Sequence, residues 1–181
     1  MRKLIIALDG PAASGKSSTA RLVAEKLGYL HIDTGAMYRA MTLRVLEQEI
    51  KLEDHETIGQ LAHQTEIQLR QQEDGLHIFL NKKDVTEQIR TQAVNKAVSP
   101  VSSIKAVREV MVREQRKMGN DGGIVLEGRD IGTVVFPNAD LKFFLIAQVT
   151  ERAKRRQKDL KKTGIEVELD ELANELIRRD D

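Results

Sequence analysis

The spacing of apolar residues in the first part of the chain predicts alternating strands and helices. Residues 2–8 begin with two basic residues and are continuously apolar from Leu4 onward, which is typical of a strand buried on both faces of a parallel sheet. Small and apolar side chains recur at helical spacing over residues 16–27, and Gly28 marks the end of this helix. A second strand over residues 29–33 and a second helix over residues 35–48 follow. This order predicts an α/β fold with a central parallel sheet.

The pattern changes near residue 64, where apolar and polar residues begin to alternate. Residues 65–72 and 76–81 both alternate with period two, and Asp74 and Gly75 between them form a turn sequence, so they predict an antiparallel hairpin. A third short strand near residues 83–86 and a helix over residues 87–98 complete the segment. Ser99 and Pro100 mark its far border. Because a hairpin is foreign to a parallel sheet, we expect a small inserted subdomain.

The last part of the chain returns to long helices and buried strands. Helical spacing predicts a helix over residues 103–118, and continuous apolar runs predict strands over residues 124–128 and 141–147. A strongly basic helix follows over residues 151–162, and a last helix begins near Leu169. A basic helix of this kind is most often a solvated face.

Length and composition limit the kinds of protein that this chain can be. Its 181 residues suffice for one well-buried domain with a small insertion. The lack of cysteine excludes disulfides, thiolate nucleophiles and cysteine-ligated zinc, which fits a cytoplasmic location. The N-terminal apolar run is shorter than the roughly seven residues of a signal peptide, and no stretch suits a membrane span. A net charge of +1 and 3% aromatic residues indicate no nucleic-acid or membrane partner.

One motif carries most of the chemistry that the residues alone indicate. Gly10, Gly15, Lys16 and Ser17 match G-x-x-x-x-G-K-[ST] between a predicted strand and a predicted helix, which is the context that the motif requires. Its backbone N–H groups and the following helix N-terminus suit a chain of phosphates. Lys16 is expected to reach the β- and γ-phosphates, and the Ser17 hydroxyl to bind magnesium. The predicted triphosphate contacts are Gly10, Pro11, Ala12, Ala13, Ser14, Gly15, Lys16, Ser17 and Ser18.

The motif leaves the fate of the phosphates open. A GTP-hydrolysing switch is one interpretation, because Asn81, Lys82 and Asp84 follow the N-K-x-D order that reads guanine. This order lies on a predicted antiparallel hairpin, and the D-x-x-G pattern fails after Asp33, so a polar turn is the simpler interpretation. A nucleotide-binding regulatory module without transfer activity is a further alternative.

A small-molecule phosphotransferase is the other interpretation, because such an enzyme needs several cations around the transferred group. Arg39, Arg129 and the arginines of the basic helix follow predicted strands, and the carboxyl ends of parallel strands meet at one crevice. An ion pair between Arg129 and Asp130 is the structural alternative. The histidines have no metal-ligand spacing and are expected to be structural or exposed; they are His31, His55, His63 and His77.

Six segments spread over the chain form a set: DGPAASGKSSTA, IDTGAMYRA, EQIRTQAVNKAVS, VREVMVREQR, VLEGRDIGTVVFPNAD and LIRRDD. Together they resemble the bacterial cytidylate kinases, which transfer the γ-phosphate of ATP to CMP or dCMP. The resemblance runs from Leu4 to Asp181, and GRDIGTVVFP is far more specific than the phosphate loop. It implies ATP and Mg²⁺ as cofactors, and ATP and CMP or dCMP as small-molecule partners. A kinase for another nucleoside monophosphate or a small metabolite is the alternative.

The resemblance also implies roles for individual residues. Those expected to bind CMP are Thr34, Arg39, Ser99, Arg108, Arg129 and Asp130. By the same resemblance, Ser99 and Arg108 would face the cytosine and Asp130 would help to read its exocyclic amine. The set is chemically suitable, because a carboxylate can accept from this amine while Ser and Arg serve N3 and O2. The lid candidates, which would close over the phosphates and exclude water, are Arg152, Arg155, Arg156 and Arg179. The expected catalytic residues are Lys16, Arg129 and Arg179.

Finally, the resemblance implies a three-layer sandwich divided into functional parts. Residues 1–60 and 100–150 would form the core with the phosphate loop, residues 61–99 the monophosphate-binding insertion, and residues 151–168 a helical lid. Residues 169–181 would begin a C-terminal segment that is cut short, because the family continues with a further aspartate and arginine, a strand and a helix. Activity and sugar recognition would depend on that continuation. We expect a cytoplasmic monomer.

Overall fold

The computed structural model describes residues 2–162, 164 and 166–180, without the side chains of Lys162 and Arg179. The strands are β1 (Ile5–Asp9), β2 (Leu30–Asp33), β3 (Ile67–Gln72), β4 (Gly75–Leu80), β5 (Lys83–Asp84), β6 (Ile124–Gly128) and β7 (Leu141–Phe144). The helices are α1 (Lys16–Leu27), α2 (Thr34–Glu47), α3 (His55–His63), α4 (Gln92–Ser103), α5 (Lys105–Met118), α6 (Val149–Lys162) and α7 (Leu169–Asp180). No helix within the described residues is both long and apolar enough to cross a bilayer.

The central sheet has four parallel strands in the order β2-β6-β1-β7. Ile6 and Leu8 of β1 belong to a buried cluster with Ala20 and Ala24 of α1. Ala7 points to the other face and belongs to the main core, which includes residues of α2 and α5. Because successive side chains of a strand point to opposite faces, helices cover both sides of the sheet. The predicted α/β fold with helical layers on a parallel sheet is confirmed.

A separate antiparallel sheet, in the order β3-β4-β5, forms the predicted hairpin and third strand. Gln72 pairs with Gly75 beside the turn, and this turn lies where the sequence pattern predicts it. Ile67, Ile78 and Leu80 are buried in the same core as α2, so this sheet is attached to the central layers through shared packing. A role of this sheet in binding a monophosphate stays a prediction.

Asn81 and Lys82 form the turn between β4 and β5. Both have positive φ angles, 47° and 71°, and the Asn81 side-chain oxygen accepts from the Glu66 N–H at 2.9 Å. Asp84 accepts from the Thr86 hydroxyl and faces the His77 ring nitrogen Nδ1 at 2.6 Å, and these contacts lower its pKa to about 2. The carboxylates around His77 raise the pKa of that ring. The guanine-binding interpretation is wrong, because these residues close a polar turn.

The predicted helix over residues 87–98 is wrong at both ends. A short helical turn precedes α4, and the Thr91 side chain caps α4 by accepting from the N–H of Val94. The buried stripe of α4 extends beyond Pro100 to Val101, and the helix continues with it. A proline removes a single N–H donor, which the packing of this stripe outweighs in the last turn. The predicted border at this proline therefore lies inside a helix.

Helix α3 is missing from the sequence-based prediction. Its first turn is capped by Asp54, whose side chain accepts from the N–H of Thr57 at 3.1 Å. Ile58 and Ala62 are fully buried and fix the helix against the core. A capping residue followed by apolar positions at helical spacing was the signal available for this helix.

Strand β7 lies at one edge of the central sheet and carries exposed apolar side chains. Phe143 and Phe144 are 51% and 66% exposed, and Ile146 beyond the strand is 80% exposed. Exposed apolar side chains of this kind can take part in contacts with other chains. The expected monomeric state therefore stays a prediction.

Candidate active site

A cleft of about 720 Å³ lies along the carboxyl ends of β1, β2 and β6. The predicted site residues that line it are Ala12, Ala13, Gly15, Lys16, Ser17, Ser18, Thr34, Arg39, Ser99, Arg108, Arg129, Asp130, Arg155 and Arg156. Gly10, Ser14 and Arg152 are buried, and Pro11 is half-buried next to Ala12. The side chain of Arg179 lies outside the described residues. The fold thus brings most of the predicted residues to one cleft.

The phosphate loop has a backbone geometry that depends on its glycines. Gly10 has a φ of 154°, and a Cβ there would lie 2.4 Å from the carbonyl oxygen of Leu145, so a side chain would displace the backbone. Gly15, directly before α1, has a φ of 100°. The Lys16 ammonium donates to the Pro11 carbonyl at 3.2 Å and so lies across the loop. With the positive N-terminus of α1, the loop forms a concavity suited to anions.

Two carboxylates lie side by side behind the phosphate loop. Asp33 ends β2 and is paired in register with Glu127 of β6, so the two side chains face the same side of the sheet. The Ser17 hydroxyl, in the first turn of α1, donates to Glu127 Oε2. On the other side, the His31 ring nitrogen Nε2 lies 2.9 Å from Glu127 Oε1. We call His31, Asp33, Glu127 and Ser17 the carboxylate cluster.

Burial raises the pKa of Asp33, and the neighbouring Glu127 carboxylate raises it further. The N–H of Ala36 donates to Asp33 at 3.0 Å and partly opposes this shift. A cation beside the two carboxylates would relieve their repulsion. Mg²⁺ prefers oxygen ligands and is commonly held by one or two carboxylates together with substrate phosphates. The Ser17 hydroxyl and the Asp33 carboxylate, with the Glu127 carboxylate next to them, therefore fit a magnesium ion bound with a nucleotide.

Across the cleft, Arg108 of α5 and Asp130 after β6 form an ion pair, with side chains 41% and 28% exposed. Ser99 of α4 and Tyr38 of α2 line the same wall. Burial raises the pKa of Tyr38 to about 12, so its hydroxyl stays neutral. Asp130 pairs with Arg108, whereas Arg129 Nη1 lies 3.4 Å from Oδ1 of Asp180 at the end of α7. This wall offers a carboxylate, a guanidinium and hydroxyl groups for hydrogen bonds to a ligand.

Arg39 is oriented by a side chain that the sequence pattern does not single out. Its guanidinium donates to the side-chain oxygen of Asn95 on α4, and the Asn95 amide donates to the Arg90 carbonyl at 3.2 Å. Arg90 also lines the cleft and adds a cation that the sequence prediction missed.

Thr34 is buried, and its hydroxyl donates to the Glu127 carbonyl at 2.7 Å. The Thr34 side chain therefore joins α2 to β6.

The segment after β6 is anchored from β1. Asp9 is buried, and its two carboxylate oxygens accept from the N–H groups of Ile131 and Gly132, both at 2.8 Å. Hydrogen bonds from two successive N–H groups to one carboxylate define the position of a turn closely. The turn that carries Arg129 and Asp130 is thus tied to the strand that precedes the phosphate loop.

Helix α6 packs against the phosphate loop. Arg152 is 3% exposed, donates to the Ala12 carbonyl at 3.3 Å and pairs with Asp180 of α7 at 2.6 Å. Arg155 donates to the next two carbonyls of the loop at 3.3 and 3.1 Å. Interpreting the basic helix as a solvated face is therefore wrong for the side that carries these two arginines.

The fold and the cleft define the class: an α/β protein with a phosphate-loop motif at the carboxyl edge of a parallel sheet. The family model described as cytidylate kinase matches residues 6–181. The chain is 49% identical over 179 residues to the cytidylate kinase of Bacillus subtilis (strain 168), covering 99% of this chain and 80% of that protein. For the cytidylate kinase of Bacillus pumilus (strain SAFR-032) the identity is 50%, with the same coverage.

A longer protein also matches. The bifunctional pantoate ligase/cytidylate kinase of Trichormus variabilis is 49% identical over 183 residues, which cover 99% of this chain and 34% of that protein. The chain belongs to the cytidylate kinase family. The resemblance predicted from the sequence is confirmed.

Proposed function

We propose that this chain transfers the γ-phosphoryl group of ATP to CMP or dCMP, with ADP and CDP or dCDP as products. One observation carries the proposal: a single cleft has the phosphate loop on one side and Ser99, Arg108 and Asp130 on the other. Binding both nucleotides in one cleft makes the transfer effectively intramolecular, which lowers its entropic cost. Membership of the cytidylate kinase family supports the same pair of substrates.

On the donor side, the loop N–H groups and Lys16 bind the triphosphate of ATP. The Lys16 ammonium neutralises charge that develops on the transferred phosphoryl group. Ser17 would hold Mg²⁺ together with the phosphates, and Asp33 and Glu127 supply negative charge next to that position. A bound Mg²⁺ would supply positive charge that offsets the charge of the donor phosphates. Transfer is direct and in line, without a covalent enzyme intermediate.

On the acceptor side, the cytosine is recognised by hydrogen bonds. Asp130 accepts from the exocyclic amine of cytosine, and Ser99 and Arg108 serve N3 and O2. Uracil has a carbonyl where cytosine has this amine, so the carboxylate would face an acceptor and uracil would bind less well. The ion pair between Arg108 and Asp130 orients both groups before the base binds.

Several arginines hold and cover the phosphates. Arg39 and Arg129 bind the phosphate of the acceptor, and Arg155 and Arg156 of α6 cover the transferred group. Closure of this lid, residues 151–168, excludes water and so favours transfer to CMP over hydrolysis. A catalytic role for Arg179 stays a prediction.

The remaining parts of the chain support this arrangement. The central parallel sheet and the phosphate loop belong to the core, and the inserted antiparallel sheet borders the monophosphate. Asp180 of α7 supplies the carboxylate that pairs with Arg129 at the cleft and with Arg152 of α6. A cytoplasmic location and a monomeric state complete the proposal.

A coupled assay of ADP formation tests the function, with ATP and CMP, dCMP, UMP or AMP as the acceptor. We expect the highest kcat/KM with a cytidylate, because Asp130 can accept from the amine of cytosine while Ser99 and Arg108 serve its N3 and O2, whereas uracil lacks the amine and adenine lacks the O2 acceptor. Faster turnover of UMP or AMP than of either cytidylate would support a kinase for another monophosphate. ATP binding by calorimetry without transfer to any acceptor would support a regulatory module.

Asp130→Ala tests how the base is recognised. We expect the KM for CMP to rise about 10–100-fold, because the cytosine amine loses its acceptor and Arg108 loses its partner. ATP binding, measured by calorimetry, should stay within about twofold, because Asp130 lies away from the phosphate loop. Asp121→Ala, at an exposed loop position, is the matched control. An equal loss for ATP and CMP would instead indicate a structural ion pair.

A further inference from the structure

A chain of three side chains runs from the edge of the sheet to the phosphate loop. His31 Nε2 lies 2.9 Å from Glu127 Oε1, and the Ser17 hydroxyl donates to Glu127 Oε2. The His31 and Glu127 side chains are only 11% and 2% exposed. Both oxygens of one buried carboxylate are thus engaged, one by the histidine and one by the first turn of α1.

Strand register explains this contact. Asp33 pairs with Glu127, and His31, two residues earlier on β2, points to the same face of the sheet. With a proton on Nε2, the His31 ring donates this hydrogen bond to the Glu127 side chain. That hydrogen bond limits rotation of the Glu127 carboxylate and keeps its second oxygen on Ser17.

We propose that His31 is a positioning residue that acts through Glu127 on the Ser17 hydroxyl. The inference rests on the proposed function, in which Ser17 holds the magnesium ion of ATP. A hydroxyl whose proton is committed to Glu127 keeps its lone pairs for a cation. Partners that fix the orientation of a ligand commonly change metal affinity about 10–100-fold when they are removed. Neither a metal-binding pattern nor the phosphate-loop motif includes this histidine.

A purely structural role makes a different prediction. If His31 only fills space at the edge of the sheet, its replacement would lower the unfolding midpoint and leave metal binding by the folded protein unchanged. If His31 positions Ser17, its replacement would weaken metal binding and raise the KM for MgATP, with little effect on the KM for CMP. The two roles therefore differ in a readout that does not depend on turnover.

The test uses His31→Phe and His31→Leu, which remove the donor, and His31→Gln, whose amide nitrogen can donate from a similar distance. Mn²⁺ binding to the protein–ADP complex is measured by electron paramagnetic resonance, beside KM values and thermal unfolding. We expect about tenfold weaker Mn²⁺ binding for His31→Phe or His31→Leu and substantial recovery in His31→Gln. His63→Phe, at an exposed position, is the matched control and should leave Mn²⁺ binding unchanged.

Several outcomes would overturn the inference. They are unchanged Mn²⁺ binding in a folded His31→Phe or His31→Leu protein, no recovery in His31→Gln, or an equal rise in the KM for CMP. Unfolding of both variants that lack the donor would assign His31 a structural role and also overturn it. Failure of the proposed function is distinguishable, because the unchanged chain would then bind Mn²⁺ with ADP and transfer phosphate to no cytidylate.

Discussion

Lys16→Ala is expected to lower kcat for phosphoryl transfer by at least about 10²–10³-fold in a protein that still folds. Lys16 is the first residue of α1, and its ammonium already lies across the loop at 3.2 Å from the Pro11 carbonyl. Its charge is therefore placed before the nucleotide arrives, where a group that stabilises the transition state is most effective. The coupled assay with ATP and CMP measures the loss.

Two measurements separate this effect from damage to the fold. Lys16 is the N-terminal residue of its helix and lies outside the buried clusters, so thermal unfolding should change little. Lys26→Ala, at an exposed position of the same helix, removes the same charge away from the cleft and should retain the full rate. A near-normal rate in Lys16→Ala, or an equal loss in Lys26→Ala, would contradict the role assigned to Lys16.

The sequence predicts best the elements whose signals are local. The phosphate loop and α1 occur where the motif and the helical spacing place them, because glycine positions and periodicity act over a few residues. Pro100 misled the prediction because the buried stripe of α4, which only the fold creates, outweighs a local helix breaker. Helix α3 also has a local signal, the capping residue Asp54 followed by apolar positions at helical spacing, and is an exception to this trend.

Most of the cations that line the cleft were predicted from the sequence, with Arg90 as an exception, whereas the groups that position them were missed. Glu127 and His31 are 96 residues apart, and only the pairing of β2 with β6 brings them together. The contacts of Asp9 with the turn after β6 depend in the same way on the pairing of β1 with β6. For Glu127 there was one signal, a charged residue inside an otherwise apolar strand. Such supporting contacts between distant residues can thus be identified only when the pairing and register of the strands are known.

Asp33→Asn is expected to make the protein more stable and less active. The pKa of Asp33 is raised in the folded protein, so its contribution to stability is fully present below its ordinary pKa of 3.8 and is lost as the pH rises through the raised value. At pH 7 the Asp33 carboxyl therefore destabilises the fold, because the fold disfavours the ionised form that the unfolded chain adopts. Asparagine removes the carboxyl and can still accept from the N–H of Ala36 as an N-cap.

Thermal unfolding from pH 4 to pH 8 and the coupled assay test both parts of this prediction. The unfolding midpoint of Asp33→Asn should exceed that of the unchanged protein at pH 7, by about 2–4 °C for each kcal/mol, and the difference should shrink towards pH 4. Turnover should fall at least about tenfold, because a negative charge beside Ser17 is lost. The control is Asp54→Asn, at the N-cap of α3, where hydrogen bonds from Thr57 lower the pKa of the aspartate. Asp54→Asn should give no gain in stability at pH 7. A loss of stability in Asp33→Asn, or a gain of equal size in both variants, would contradict the prediction that the Asp33 carboxyl destabilises the fold.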